Sequence, residues 1–207
     1  MKALKYIITI LVIIVVAYKS VYFKKLDEVK AAEKAKEFNA ESYAQNFWDK
    51  KLLPNLNKAV GLSKLTSMLS TDPVKTFDTY SHALGIGNLR YFLVKGKGTI
   101  MTVNEDDISV PLDSTNQTIT IATEYIFGNA VRDATGLIDI NEFSNTMDFN
   151  NVSAELNKII REKVLPPFKT TMEQGNTIEF VGAIELNKEH LDLSKIEVIP
   201  VQLKIDE

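Results

Sequence analysis

Residues 89–126 read LRYFLVKGKGTIMTVNEDDISVPLDSTNQTITIATEYI, and from Leu89 onward the apolar period is two. Tyr91 to Val94, Thr99 to Val103, Ile108 to Leu112 and Thr118 to Ile126 are β-branched or aromatic runs. Between them stand Gly96 and Gly98, then Asn104-Glu105-Asp106-Asp107, then Asp113-Ser114-Thr115-Asn116, all turn-forming chemistry. The pattern predicts a meander of antiparallel strands whose first region is broken by the two glycines.

Downstream, a polar stretch from Gly128 to Asn151 interrupts the strands, and Val152, Leu156, Ile159, Ile160 and Val164 then fall on one helical stripe ahead of Pro166-Pro167. Thr177 to Leu186 and Ile196 to Ile205 alternate again, with Gly175-Asn176 opening the first and Pro200 marking an edge or a bulge in the second. Three strands, a helix and two strands predict an OB-like five-stranded antiparallel Greek-key barrel with one inserted helix over residues 89–207. An open antiparallel sheet with a helix on one face fits the same pattern. Glycines suit a small barrel because its strands bend sharply.

Upstream the period is helical, so the fold class is α+β. Asn39 is placed to cap a helix running through Leu53, on which Tyr43, Phe47, Trp48 and Leu52 gather before Pro54. Leu62, Leu65, Met68 and Leu69 predict a short amphipathic helix, and Asp72-Pro73 is a cap and first turn for another carrying Val74, Phe77 and Tyr80. Gly85 and Gly87 end this part. Residues 26–88 thus read as a helical stalk, rich in Ala, Lys and Glu at its start, followed by a small helical subdomain.

Residues 1–25 stand apart. Lys2 and Lys5 precede the run Tyr6 to Tyr18, broken only by Thr9, and Lys24-Lys25 close its extension to Phe23. At ~1.5 Å per residue the 18 residues from Tyr6 to Phe23 approach the ~30 Å hydrocarbon core, with Lys19 snorkelling and Tyr18, Tyr22 and Phe23 forming an interfacial belt. The expectation is an uncleaved signal anchor that attaches the chain to a membrane through residues 6–23, the remainder lying outside the cytoplasm. The alternative is a signal peptide cleaved near Ala17, after Val15-Val16-Ala17, releasing the chain to the periplasm.

The formal charge of −3 divides unevenly: five lysines and no acid fall in residues 1–25, and 19 basic against 27 acidic residues follow, a body of −8. That balance opposes a nucleic-acid footprint, although OB-like barrels often serve one. With no cysteine, disulfides, thiolate nucleophiles and cysteine metal sites are excluded. His82 and His190 have no partner at helical ligand spacing and read as surface residues.

The segments FGNAVRDATG (Phe127 to Gly136), NEFSNTMDFNNVSAELNKII (Asn141 to Ile160), GNTIEFVGAIE (Gly175 to Glu185) and VIPVQLKI (Val198 to Ile205) resemble a family of uncharacterised bacterial predicted periplasmic lipoproteins. Members often sit beside genes for ribose-type sugar ABC transporters, so the resemblance implies an accessory role at the cell envelope, with an ABC transporter subunit or another envelope protein as a partner. One departure stands out. A lipoprotein needs a cysteine after its signal segment, and this chain has none, so attachment would shift from a lipid to the apolar run.

The polar residues that point most to chemistry follow the third strand. Asn129, Arg132 and Asp133 could hold a carboxylate, a phosphate or a sugar hydroxyl, since a guanidinium presents a rigid donor fork. The same residues could equally form a structural ion pair with an asparagine satisfying loop backbone. Asp133, Asp139, Asn141, Glu142, Asn145 and Asp148 invite a calcium reading, but their spacing does not match an EF-hand loop. No G-x-S-x-G occurs, and Gly85-x-Gly87 and Gly96-x-Gly98 lack the rest of a nucleotide fingerprint. The expectation is a non-enzymatic binding or interaction protein with no cofactor and no metal. The alternative is an envelope hydrolase using carboxylates of residues 133–148.

Overall fold

The computed structural model describes residues 38–115 and 117–206, together with Tyr6, Ile10, Leu11, Ile13 and Val16. Those five are helical, and their apolar side chains are exposed. The rest of the expected anchor, and the stalk up to residue 37, lie outside the described residues. Among the described residues no helix is long and apolar enough to cross a membrane. The chain divides into two compact units, Met1–Phe38 and Asn39–Glu207.

In the second unit, helix α1 (Ala40–Phe47) starts where Asn39 accepts the Ser42 N–H at 2.8 Å, and it runs on through a π turn (Trp48–Leu52) and a 3-10 turn (Leu53–Lys58). Pro54 lies near the start of that last turn, where its missing N–H costs nothing, so it does not stop the helical run as expected. Strand β1 (Val60–Gly61), α2 (Leu62–Thr71) and α3 (Pro73–Tyr80) follow, the last capped by Asp72, which accepts the Lys75 N–H at 3.1 Å. The remaining elements are β2 (Leu89–Thr99), β3 (Thr102–Val103), β4 (Asp107–Pro111), β5 (Thr118–Ala122), α4 (Ala130–Asp133), α5 (Thr146–Ile159), α6 (Leu165–Lys169), β6 (Thr177–Asn187) and β7 (Glu197–Ile205). A π turn (Ile160–Val164) joins α5 to α6, and Pro166-Pro167 sit in the first turn of α6 rather than beyond the helix.

The strands form one sheet in the order β1-β2-β6-β7-β5-β4-β3. Strands β2 and β3 stand near opposite ends of that order yet are separated in the chain only by Ile100 and Met101, so the sheet has to curl back on itself. An isolated bridge between Gly98 and Leu112, with the Asp113 N–H on the Lys97 carbonyl at 3.1 Å, ties β2 to the residues just after β4, where the curled sheet meets itself.

Three features differ from the expected five-stranded antiparallel barrel. The sheet has seven strands. Strands β5 and β7 pair in parallel, Thr120 with Glu197 and Ile121 with Val198, because the long helical insertion carries the chain across the barrel before the β6–β7 hairpin returns beside β5. The glycines do not break the first strand, since β2 pairs with β6 at all eleven positions from Leu89 to Thr99. At Gly98 a Cβ would collide with the Pro111 carbonyl and the Val110 side chain, so glycine allows the close approach that closes the barrel. Pro200 stands opposite Gly182, where the β6–β7 register slips at a bulge. Strand β5 ends at Ala122 because the Thr123 and Glu124 N–H groups both turn to the Asp106 carbonyl, at 2.9 and 3.1 Å.

The core is the barrel interior and its lids. Phe92, Val94, Ile108, Ile119, Phe180 and Val198 fill the barrel, and Leu62, Leu65 and Leu69 of α2, Phe77 of α3 and Phe168 of α6 join the same cluster. Along β2 the residues Tyr91, Phe92, Leu93 and Val94 are all buried, so helical segments cover this strand's outer face as well.

Candidate functional site

The segment after β5 appears polar in sequence, yet α4 is wholly buried. Arg132 is 3% exposed and Asp133 1%. Arg132 Nε donates to Asp133 Oδ1 at 2.5 Å and Nη2 to Oδ2 at 3.1 Å, a two-point ion pair between neighbours in sequence. The third nitrogen, Nη1, reaches the Phe149 carbonyl at 3.4 Å, and the guanidinium lies 3.5 Å from the centroid of the Phe149 ring. A buried charge pair is tolerable only when its remaining donors are met in this way. Phe149 in turn meets Phe143 edge-on, and Phe143 meets Tyr43 of α1, each at 5.2 Å between centroids. The ion pair therefore rests on an aromatic chain that ties α4 to the first helix.

Asn129 precedes α4 and accepts the Ser153 hydroxyl of α5 at 2.9 Å. The neighbouring Gly128 carbonyl accepts the Asn157 amide, also at 2.9 Å. Helix α5 thus holds the entry to the segment at two successive residues. Tyr91 of β2 approaches from the other side. Burial, then the charges of Glu185 and Asp133 and a hydrogen bond with Glu185, push its phenol up to about 12, while Asn129 acts in the opposite direction. At neutral pH the phenol keeps its proton and serves as a donor.

Asn129, Arg132, Asp133 and Tyr91 line one cavity of about 190 Å³, together with Ala83 and residues 85–89, where the loop leads into β2. All three residues singled out in the sequence are therefore brought together. Tyr91 and the loop were not anticipated. The signal that could have found Tyr91 is the run Tyr91-Phe92-Leu93-Val94 itself, because a strand without polar alternation is covered on both faces.

The other carboxylates of residues 133–148 go elsewhere. Asp139 accepts the Asn141 N–H at 2.9 Å as the cap of a short 3-10 turn. Glu142 accepts the Tyr43 hydroxyl at 2.5 Å and pairs with Lys51 at 3.8 Å. Asp148 receives the Asn145 amide at 2.8 Å at the start of α5, where Asn145 accepts its backbone N–H. These three carboxylates work in helix ends and surface pairs, so of the carboxylates in residues 133–148 Asp133 is the one that lines the cavity. Among the described residues no group of three or more His, Asp or Glu is placed to hold a metal ion.

The family model described as "Predicted periplasmic lipoprotein (DUF2291)" matches residues 11–204. No curated protein matches. Among solved structures, an OB-fold protein from Thermotoga maritima, determined by crystallography, is 26% identical with a TM-score of 0.70 over 82% of this chain and 99% of that one. The chain belongs to that family of predicted periplasmic lipoproteins, which carries with it an extracytoplasmic, envelope-associated location, and its fold is OB-like with α+β composition.

Proposed function

We propose that this member of the predicted periplasmic lipoprotein family is a membrane-tethered, non-enzymatic binding module that takes a small hydroxyl-rich ligand in the cavity beside Asn129, Arg132 and Asp133. The observation that carries the reading is the convergence of four polar side chains, Tyr91, Asn129, Arg132 and Asp133, on one cavity. The Arg132–Asp133 pair, the Ser153 bond to Asn129 and the Tyr91 hydrogen bonds with Glu185 and Asn129 fix them in place, so the wall is preorganised: carboxylate, amide and phenol groups present donors and acceptors at fixed spacing, as polyol recognition requires. A volume of about 190 Å³ suits nothing larger than a monosaccharide.

Tethering rests on the apolar run of residues 6–23. Tyr6, Ile10, Leu11, Ile13 and Val16 are helical, exposed and spread over more than half the helix circumference at ~100° per residue, which suits lipid contact better than a single packing stripe. With no cysteine for a lipid, this segment takes over attachment as a single pass, the C-terminal domain facing outward. The resemblance to a family encoded beside ribose-type transporters makes a sugar ABC transporter subunit the partner.

The test is a thermal-shift titration of the full chain in detergent micelles with a panel of pentoses and hexoses. A saturable rise in Tm with one sugar class, abolished in Asn129→Ala when each protein is compared with its own unliganded Tm, is the expected result. No shift with any sugar overturns the small-ligand reading, and failure to recover a transporter subunit by crosslinking in native envelopes overturns the partnership.

A further inference from the structure

A second cavity of about 190 Å³ is lined by residues of the 3-10 turn of Leu53–Lys58, the end of α3, His82, and the chain just after α4. Its polar lining is Asn55, Lys58, Thr79, Tyr80, His82 and Thr135. In a chain body of net −8, the described residues lining this cavity include a lysine and a histidine but no carboxylate.

The lining is also rich in unspent donors. No described residue forms an ion pair with Lys58, and no described group hydrogen-bonds the His82 ring or the Tyr80 hydroxyl. Thr135 Oγ accepts the Leu137 N–H at 3.3 Å, which leaves its own hydrogen free. Among the described residues two of the lining donors are already used: the Thr79 hydroxyl on the Lys75 carbonyl and one Asn55 amide hydrogen on the Lys51 carbonyl, each at 2.7 Å. A site with donors in excess and one fixed positive charge selects an oxygen-rich anion.

His82 is held there by construction. Its N–H donates to the Tyr91 carbonyl at 2.8 Å and its carbonyl accepts the Tyr91 N–H at 2.9 Å, so its backbone is stitched to β2. Its ring packs against Gly136, where φ is +64° and a Cβ would collide with the imidazole. Partial burial lowers the His82 pKa, so without a ligand the ring is predominantly neutral at pH 7.

We propose that this second cavity, with Lys58, His82, Tyr80 and Thr135 as donors, is a binding site for a phosphate-type oxyanion, supplied as free phosphate or as a lipid headgroup. It shares no lining residue with the first cavity, so the two sites can be tested apart.

The chain has two histidines, His82 and His190, which gives a clean spectroscopic readout. The full chain in neutral detergent micelles at pH 7 is titrated with inorganic phosphate, ionic strength being held constant with chloride, while the imidazole Cε1–H resonances are followed by NMR. The expected result is a saturable shift of His82 with His190 unmoved, weakened by about tenfold or more in Lys58→Gln. Lys58 is exposed, and an unchanged Tm for that variant shows that the fold is intact. Thr135→Val weakens the same shift, whereas Asn129→Ala leaves it as in the parent. A second arm replaces phosphate with phosphatidylglycerol vesicles: a His82 shift there and none with free phosphate identifies a headgroup as the source. No saturable His82 shift in either arm, or equal movement of both histidines, overturns the proposal.

Discussion

The barrel interior and helix α4 are equally dry and chemically opposite. Phe92, Ile108, Phe180 and Val198 fill the first with hydrocarbon alone, whereas Ala130–Asp133 carries an arginine and an aspartate into the second at 3% and 1% exposure. In the barrel each side chain contributes roughly in proportion to the surface it hides, so losses are graded. In α4 each charge is tolerable only because of the other, so losses are all or none. A buried charge pair of that kind makes a poor stabiliser and a good rigid wall.

The largest effects test that contrast directly. Phe180→Ala and Arg132→Ala should each remove about 3–5 kcal/mol in urea unfolding, the first through a cavity and the second by stranding the Asp133 charge. The two should part when the partner goes too: Arg132→Met with Asp133→Leu should recover much of the loss, whereas no second truncation in the barrel rescues Phe180→Ala. Arg132→Lys separates structure from recognition. A lower Tm is expected, because an ammonium cannot reproduce the two-point pair and the stacking on Phe149. An unchanged Tm would break the comparison.

Next in size is the seam of the barrel. Gly98→Ala should cost roughly 1–3 kcal/mol, since the new methyl meets the Pro111 carbonyl and backbone cannot retreat as a side chain can. Gly85→Ala, where a Cβ meets nothing within 4 Å, is the matched control and should be close to neutral. Thr123 tests the dry interior from the other direction. Its buried hydroxyl has no hydrogen-bond partner among the described residues, so Thr123→Val should raise stability by about 1 kcal/mol in the same assay.

The smallest effect is a pH dependence. The folded pKa of His82 lies below its unfolded value of ~6.5, so between those values the unfolded chain binds more protons. The contribution to stability is complete above ~6.5 and falls as pH drops through that value towards the folded pKa. The Tm difference between pH 7.5 and pH 5 should therefore shrink in His82→Gln, and saturating phosphate should shrink it in the parent by favouring the charged ring.

Much of this architecture was legible residue by residue. Asn39 and Asp72-Pro73 cap helices as their chemistry requires, because capping depends on neighbours three positions away. The stripe of Val152, Leu156, Ile159 and Ile160 buries as one face of α5 and its continuation. The succession of strand, helix and strand segments from Leu89 followed from the change of period, but the number of strands and their order in the sheet did not. The uninterrupted β2 was not legible, because Gly96 and Gly98 look alike as turn formers and as points of close approach, and only the strands opposite them decide. The parallel β5–β7 pair was hidden for the same reason.

The candidate site divides along the same line. Asn129, Arg132 and Asp133 were visible because they cluster in sequence, and a local pair such as Arg132–Asp133 needs no tertiary information to suggest itself. Tyr91 and His82, about 40 to 50 positions earlier, reach that segment only because β2 passes beneath it and stitches the backbone of His82 to Tyr91. By itself the sequence determined most of the helices, the main strands, the Asn39 and Asp72 caps, the apolar N-terminal run and the split of charge, all properties carried by short-range sterics and periodicity. The tertiary structure alone decided which polar groups are dry, which face one another and which keep unspent donors, since those depend on distances that close only when the barrel does.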